Sequence, residues 1–169
     1  MLSPHQLLQS LEKEPLFSDW RKRHQQSFLS HFFCPISAKG ELKSDWEIGY
    51  YDSKSGKITI FIELPGKGFE IKPEDDVFKQ ETDQVEMLEM KNVKVSFADA
   101  LKMFLEKAPT EFPKEQLGDG FIIIQTLKRK PLWNFTFVTR ALKFVNLKIN
   151  AQTAEIEDQQ VVELVDKGK

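Results

Sequence analysis

A chain of 169 residues, 40% of them hydrophobic and including 14 Phe and 3 Trp, is long enough to close one core and too apolar for global disorder. Its 24 basic and 26 acidic side chains leave a formal charge of −2, without the positive field that drives general binding to phosphate backbones, so nucleic acid is not the expected partner. The single cysteine, Cys34, cannot form an internal disulfide, which points to a reducing, cytoplasmic setting. Met1 to Gln6 shows no basic stretch followed by a continuous apolar one. The longest unbroken run of large apolar residues is Phe121 to Ile124, so neither a signal peptide nor a membrane-spanning helix is expected. Export with a leader since lost would still be compatible with this.

In chain order, Leu7, Leu8 and Leu11 fall at the i, i+1, i+4 spacing of an amphipathic helix that Pro15 ends or redirects. Leu16, Phe17 and Trp20 repeat that spacing ahead of the basic run Arg21 to Arg23, predicting a second short helix. From Phe28 the pattern becomes strand-like through Phe32, Phe33 and Ile36, and Pro35 suits an edge strand better than a central one. Residues 46–64 read as a hairpin: Trp46, Ile48 and Tyr50 alternate, a polar turn follows, and Ile58, Ile60 and Ile62 alternate again. After the break at Pro65 to Gly68, Phe69 and Ile71 suggest a short strand. Eight acidic residues against two lysines between Glu70 and Glu89 read as a solvated connector. Ser96 and Asp99 have the spacing of a capping box for a helix carrying Leu101, Phe104 and Leu105, stopped by Pro109. A meander then runs from Phe121 to Leu127, through a basic turn at Lys128 to Pro131, to alternating Trp133, Phe135 and Phe137 and to Phe144 to Ile149. Ile156, Val161, Val162, Leu164 and Val165 suggest a last strand or a tail helix.

The two halves resemble one another. Trp46-Glu-Ile48-Gly-Tyr50 matches Trp133-Asn-Phe135-Thr-Phe137, and in each the next alternating strand begins twelve residues after the tryptophan, at Ile58 and Val145. Leu11-Glu-Lys-Glu-Pro15 matches Leu105-Glu-Lys-Ala-Pro109. From helix leucine to tryptophan the first half runs 35 residues and the second 28, so one length difference of seven reconciles them. The expectation is an α+β fold of two repeated helix plus antiparallel β-meander modules, helices packed on the sheet, within one globular unit. The first repeat is 1–72, an acidic connector 73–95, and the second repeat 96–169. Trp46, Tyr50, Ile58 and Ile62 would point inward, with Trp133, Phe137, Val145 and Ile149 as their counterparts.

Ile149-Asn-Ala151-Gln-Thr153-Ala-Glu155-Ile156, following a tryptophan strand, resembles the closing strand of the PepSY domain, with Asn150 at the usual Asp and Ala154 at the turn glycine. The first half keeps less of it, in Ile62-Glu-Leu-Pro-Gly66. The resemblance implies a PepSY- or cystatin-like layout and a non-catalytic interaction domain, of a kind found beside peptidases and in envelope proteins.

The residues offer little chemistry. His31 and Cys34, with His5 and His24 nearby, have an H-x-x-C spacing, but three positions on a strand place side chains on opposite faces. Cys34, flanked by Phe33 and Pro35, reads as a small hydrophobe. Gly66-Lys-Gly68 and Gly118-Asp-Gly120 match no phosphate-binding loop and read as turns, and Glu74-Asp75-Asp76 reads as a solvated run. No catalytic residue, metal or cofactor is expected, although groups that converge only in space are invisible in one sequence.

The function expected is a non-catalytic protein- or peptide-interaction module, using strand edges or a concave sheet face and acting on a peptidase or an envelope-associated partner. Its candidate surface is the basic set Lys128, Arg129, Lys130, Arg140 and Lys143, and pairing of two copies through strand edges is a further expectation. The alternative is a carrier or sensor of a small apolar ligand, with Trp46, Tyr50, Trp133, Phe135 and Phe137 lining a pocket or, failing that, forming core.

Overall fold

In the computed structural model, which describes residues 1–72 and 84–164, the first helix begins where the sequence supplies a reciprocal cap. The Ser3 hydroxyl accepts from the Gln6 N–H and the Gln6 side chain accepts from the Ser3 N–H, starting α1 (Pro4–Leu11), which buries Leu7 and Leu11. Pro15 does more than end this helix. It occupies the first turn of α2 (Pro15–Arg23), where a missing N–H costs no hydrogen bond, and α2 buries Phe17 and Trp20. The third helix, α3 (Phe97–Glu111), starts on Ser96, whose hydroxyl accepts from the Asp99 N–H at 3.1 Å, and turns Ala100, Phe104 and Ala108 inward. Pro109 does not stop it: the Phe112 N–H still reaches the Ala108 carbonyl at 2.8 Å, and burial of Phe112 holds the last turn in place.

Eight strands follow these helices: β1 (Ser27–Ile36), β2 (Glu47–Asp52), β3 (Ile58–Leu64) and β4 (Gly68–Ile71) after α2, then β5 (Leu117–Leu127), β6 (Lys130–Thr139), β7 (Lys143–Asn150) and β8 (Ile156–Glu163) after α3. They form one antiparallel sheet in the order β4-β3-β2-β1-β5-β6-β7-β8. Each run of four is a meander, and the two meanders meet where β1 pairs antiparallel with β5, Phe32 opposite Ile124 and Cys34 opposite Ile122. The fold is thus α+β with three helices on a large antiparallel sheet.

The helices share one face. Phe17 and Trp20 of α2 pack on Tyr50 and Phe61, with ring centroids 5.0–5.5 Å apart, and Phe104 of α3 stacks on Phe135 and Phe137 at 5.0 and 4.8 Å. Between them Trp46 and Trp133 meet at 6.0 Å, and the Trp133 indole N–H donates to the Val95 carbonyl. One continuous core therefore crosses the junction of the two meanders.

Four further points of the sequence reading are corrected or narrowed. Pro35 lies in β1, a central strand. Its carbonyl accepts from the Lys43 N–H, so its N side faces the gap beyond the end of β2 and no ladder bond is lost. The stretch read as an acidic connector is only partly one. Residues 73–83 lie outside the described residues, but from 84 onward Leu88, Met90 and Val93 are buried around a short 3-10 turn (Met90–Asn92), and the Leu88 N–H bonds the Leu29 carbonyl. Of the two readings of the final apolar segment, last strand or tail helix, the strand is the one formed, paired with β7. The fourth change is one of register. Ile48 pairs with Phe61, so Phe61 is the inward residue of β3, while Ile58 and Ile62 point to the opposite face. Equating Ile60 with Leu147 is off by one, because Leu147 opposes Phe135 as Phe61 opposes Ile48. A single-residue slip exchanges the two faces of a strand. Trp46, Tyr50, Trp133, Phe137, Val145 and Ile149 are buried as expected.

Candidate functional site

Strand parity sorts the sheet into two faces, and among the described residues the second carries no helix. On it lie Ile58, Ile60 and Ile62 of β3, Tyr51 of β2, Phe28 and Phe33 of β1, and Phe121 and Ile123 of β5. All eight are half-buried, and none packs against the core cluster. They touch one another instead: Phe28 meets Tyr51 edge-on at 5.6 Å and Phe33 lies 5.7 Å from Phe121. Four strands at ~4.8 Å spacing and about five residues at ~3.3 Å per residue make this stripe roughly 300 Å². That is the size of the largest apolar patch on an ordinary monomer, and such patches are often binding sites.

Across β6, β7 and β8 the middle rows of the same face become polar, while Val138, Phe144 and Val162 form an apolar row toward one end. The Asn146 amide donates to Thr136 Oγ1 at 2.8 Å and to Asn134 Oδ1, and the Lys148 ammonium donates to Asn146 Oδ1 at 2.9 Å and Asp158 Oδ2 at 3.1 Å. The bond from Lys148 holds the Asp158 carboxyl below its ordinary range. In one cross-strand row the face passes from Phe33 and Ile123 to Asn134, Lys148 and Asp158.

His31 sits inside the apolar half. Opposite it, Gly49 leaves room for the ring, since a Cβ there would lie 2.1 Å from His31 Cε1. The Ser30 hydroxyl donates to the Gly49 carbonyl at 3.0 Å, so His31 Nδ1, 2.9 Å from Ser30 Oγ, carries the proton and donates to it. Burial pushes the pKa of this imidazole down to about 4, which makes it a neutral packing element at pH 7. Cys34, three residues on, points into the core. Its thiol donates to the Ser44 carbonyl and burial raises its pKa, so His31 and Cys34 share no site.

The five basic residues do not form one surface. Lys128 and Arg129 are the two central residues of the β5–β6 turn, both with left-handed φ (48° and 64°), and the Arg129 N–H is held by a Glu86 carboxylate oxygen at 3.0 Å. Arg140 and Lys143 flank the opposite end of β6, about 30 Å away along its ten residues. Lys130 is paired with Glu157 at 2.7 Å and Lys143 with Glu115 at 3.0 Å. The aromatic set expected as pocket or core is core: Trp46, Tyr50, Trp133, Phe135 and Phe137 close on one another and on the helices. Among the depressions in the described surface, one of about 330 Å³ beside Glu86, Met87 and Arg129 touches none of them. A second, about 250 Å³ beside His5, Val95 and Phe97, is reached by Trp133 alone.

Sequence reading missed the helix-free apolar face, although its signal was present. Ile58-Thr-Ile60-Phe-Ile62 and Phe121-Ile-Ile-Ile124 are apolar at both parities, and a strand apolar at both parities has two apolar faces.

Among the described residues no helix is long and apolar enough to cross a membrane. No protein-family model and no curated protein matches the sequence. Among solved structures, a candidate lipoprotein from Clostridium difficile 630 aligns with 89% of this chain and 97% of its own at 9% identity and a TM-score of 0.49, a likeness too slight to assign this chain a fold family or a function.

Proposed function

We propose that this chain is a non-catalytic protein-binding module whose helix-free sheet face receives the partner. The observation that carries the reading is the stripe of eight half-buried apolar side chains, separated from the core by the sheet itself and bordered by the Asn134–Asn146–Lys148–Asp158 network. Removing roughly 300 Å² of apolar surface from water contributes about 7 kcal/mol before the costs of association, enough to anchor a specific contact if polar rim bonds are made. The partner that fits presents an apolar patch to β3, β2, β1 and β5 and polar groups to β6 and β7.

A duplicated origin of the two halves belongs to the same proposal. Helix followed by four antiparallel strands occurs twice in chain order, and the antiparallel β1–β5 junction is the arrangement a two-fold relation between halves requires. The PepSY resemblance extends the proposal to a peptidase or an envelope protein as the partner.

The test is capture from lysate with wild type, with Phe33→Lys plus Ile60→Lys, and with Lys128, Arg129 and Lys130 all changed to Glu, followed by binding measurements with the purified partner. The proposal expects one protein recovered by wild type and by the basic-turn variant, and binding at least tenfold weaker for the face variant. Retention by the face variant, or recovery of a small apolar molecule alone, would contradict it.

A further inference from the structure

Among the described residues the sheet ends in two unpaired edges of different character. β4 offers four residues, too few to template a partner strand well. β8 offers eight, and its residues from Gln159 to Glu163 are all exposed, with Val161 and Val162 46% and 49% accessible. Exposed edges are usually guarded by proline or unpaired charge. Here Glu157 and Asp158 are already held by Lys130 and Lys148, at 2.7 and 3.1 Å, which leaves Glu163 as the strand's further carboxylate, and β8 contains no proline.

The direction of the free backbone groups follows from one bond. The Leu164 N–H donates to the Leu142 carbonyl on the β7 side. Because these groups alternate along a strand, Val162, Gln160 and Asp158 also face β7, and the N–H and C=O of Gln159, Val161 and Glu163 face outward. We propose that this edge pairs antiparallel with β8 of a second copy about a two-fold axis at Val161, making a sixteen-stranded sheet.

The register is chosen by charge and packing. Centred on Val161, the pairing sets Val161 against Val161 of the second copy and Gln159 against its Glu163, so that the amide donates to the carboxylate on both sides of the axis. Val162 falls beside Gln160, and Asp158, neutralised by Lys148, beside Leu164. All three outward residues make paired backbone bonds. Centred one residue earlier, the pairing would set Glu163 opposite Glu157 twice, and like charges directly opposite one another are destabilising. β8 is separated from the apolar half of the helix-free face by β6 and β7, so this pairing goes beyond the partner site proposed above and is tested independently of it.

Sedimentation of the full chain over about 10 to 1,000 µM covers the weak range expected of an interface this small. Wild type should pass from monomer to dimer. Val161→Pro, which deletes an N–H not used by β7, should stay monomeric, and Val161→Lys, which opposes two ammonium groups across the axis, should weaken dimerisation at least tenfold. Under oxidation Val161→Cys should crosslink two copies, because Cα atoms of a hydrogen-bonded antiparallel pair lie ~5.5 Å apart, within disulfide range. Gln159→Cys should not, its two Cα atoms being about 14 Å apart in this register. A wild type that remains monomeric, a dimer that survives both Val161 variants, or crosslinking of Gln159→Cys as ready as that of Val161→Cys would overturn the proposal.

Discussion

Across β3, β2, β1 and β5 both faces of the sheet are apolar, yet only one of them is closed. On the helix side Phe17, Trp20, Tyr50 and Phe61 pack ring against ring and are buried, and across the junction buried Trp46 and Trp133 pack on one another and on half-buried Phe97. On the other side Phe28 packs on Tyr51 and Phe33 on Phe121, and these rings, with Ile60 and Ile123, keep part of their surface in water. The difference teaches that apolar content alone does not separate core from binding surface. What covers a side chain does, and here the covering helices were used up on one face.

The contrast can be broken first at its strong end. Phe104→Ala removes a ring stacked on both Phe135 and Phe137 and leaves a cavity under α3, which should lower unfolding free energy by about 3–5 kcal/mol in urea titration. A loss near 1 kcal/mol would mean that α3 is not seated as described.

His31 tests whether the helix-free face is packed as tightly around one buried group as the ring geometry requires. Its folded pKa, lowered from 6.5 to about 4, lies below its unfolded value, so the unfolded chain takes up the proton more readily. Its contribution to stability is complete above pH 6.5 and is lost as pH falls toward 4, by up to about 3 kcal/mol at 1.36 kcal/mol per unit. His31→Gln should flatten that acid limb; an unchanged limb would remove His31 as its source.

Gly49→Ala should cost about 1–3 kcal/mol, because the new methyl would collide with the His31 ring. Combined with His31→Ala the cost should largely vanish, a coupling that a double-mutant cycle reads directly. Additive effects would contradict the contact. Smaller again, Ser96→Ala should cost about 1 kcal/mol by leaving the Asp99 N–H without its cap, seen as a matching drop in denaturation midpoint.

Much of this architecture was legible in the sequence for physical reasons that held. Leu7 and Leu11, then Phe17 and Trp20, sit on one helical face each, and Trp133, Phe135 and Phe137 alternate cleanly with Asn134 and Thr136, so period alone assigns their faces. Period failed where both parities are apolar. In β3 three isoleucines outvote one phenylalanine by count, but the space between Phe17, Trp20 and Tyr50 takes the larger ring of Phe61. Leu88, Met90 and Val93 were hidden by the acids around them, because net charge says nothing about which few side chains turn inward. The basic set was legible as charge but not as a site, since its members lie at two ends of one strand.

The account stands most directly on one pair of readings from Phe33→Lys and Ile60→Lys in the same chain: unfolding in urea and affinity for the captured partner. Half-buried positions on a sheet face that carries no described helix tolerate a lysine whose stem lies along the surface, so stability should fall by no more than about 1 kcal/mol per site while binding falls at least tenfold. Loss of the fold with either substitution would make this face part of the core, and unchanged affinity would place the partner elsewhere.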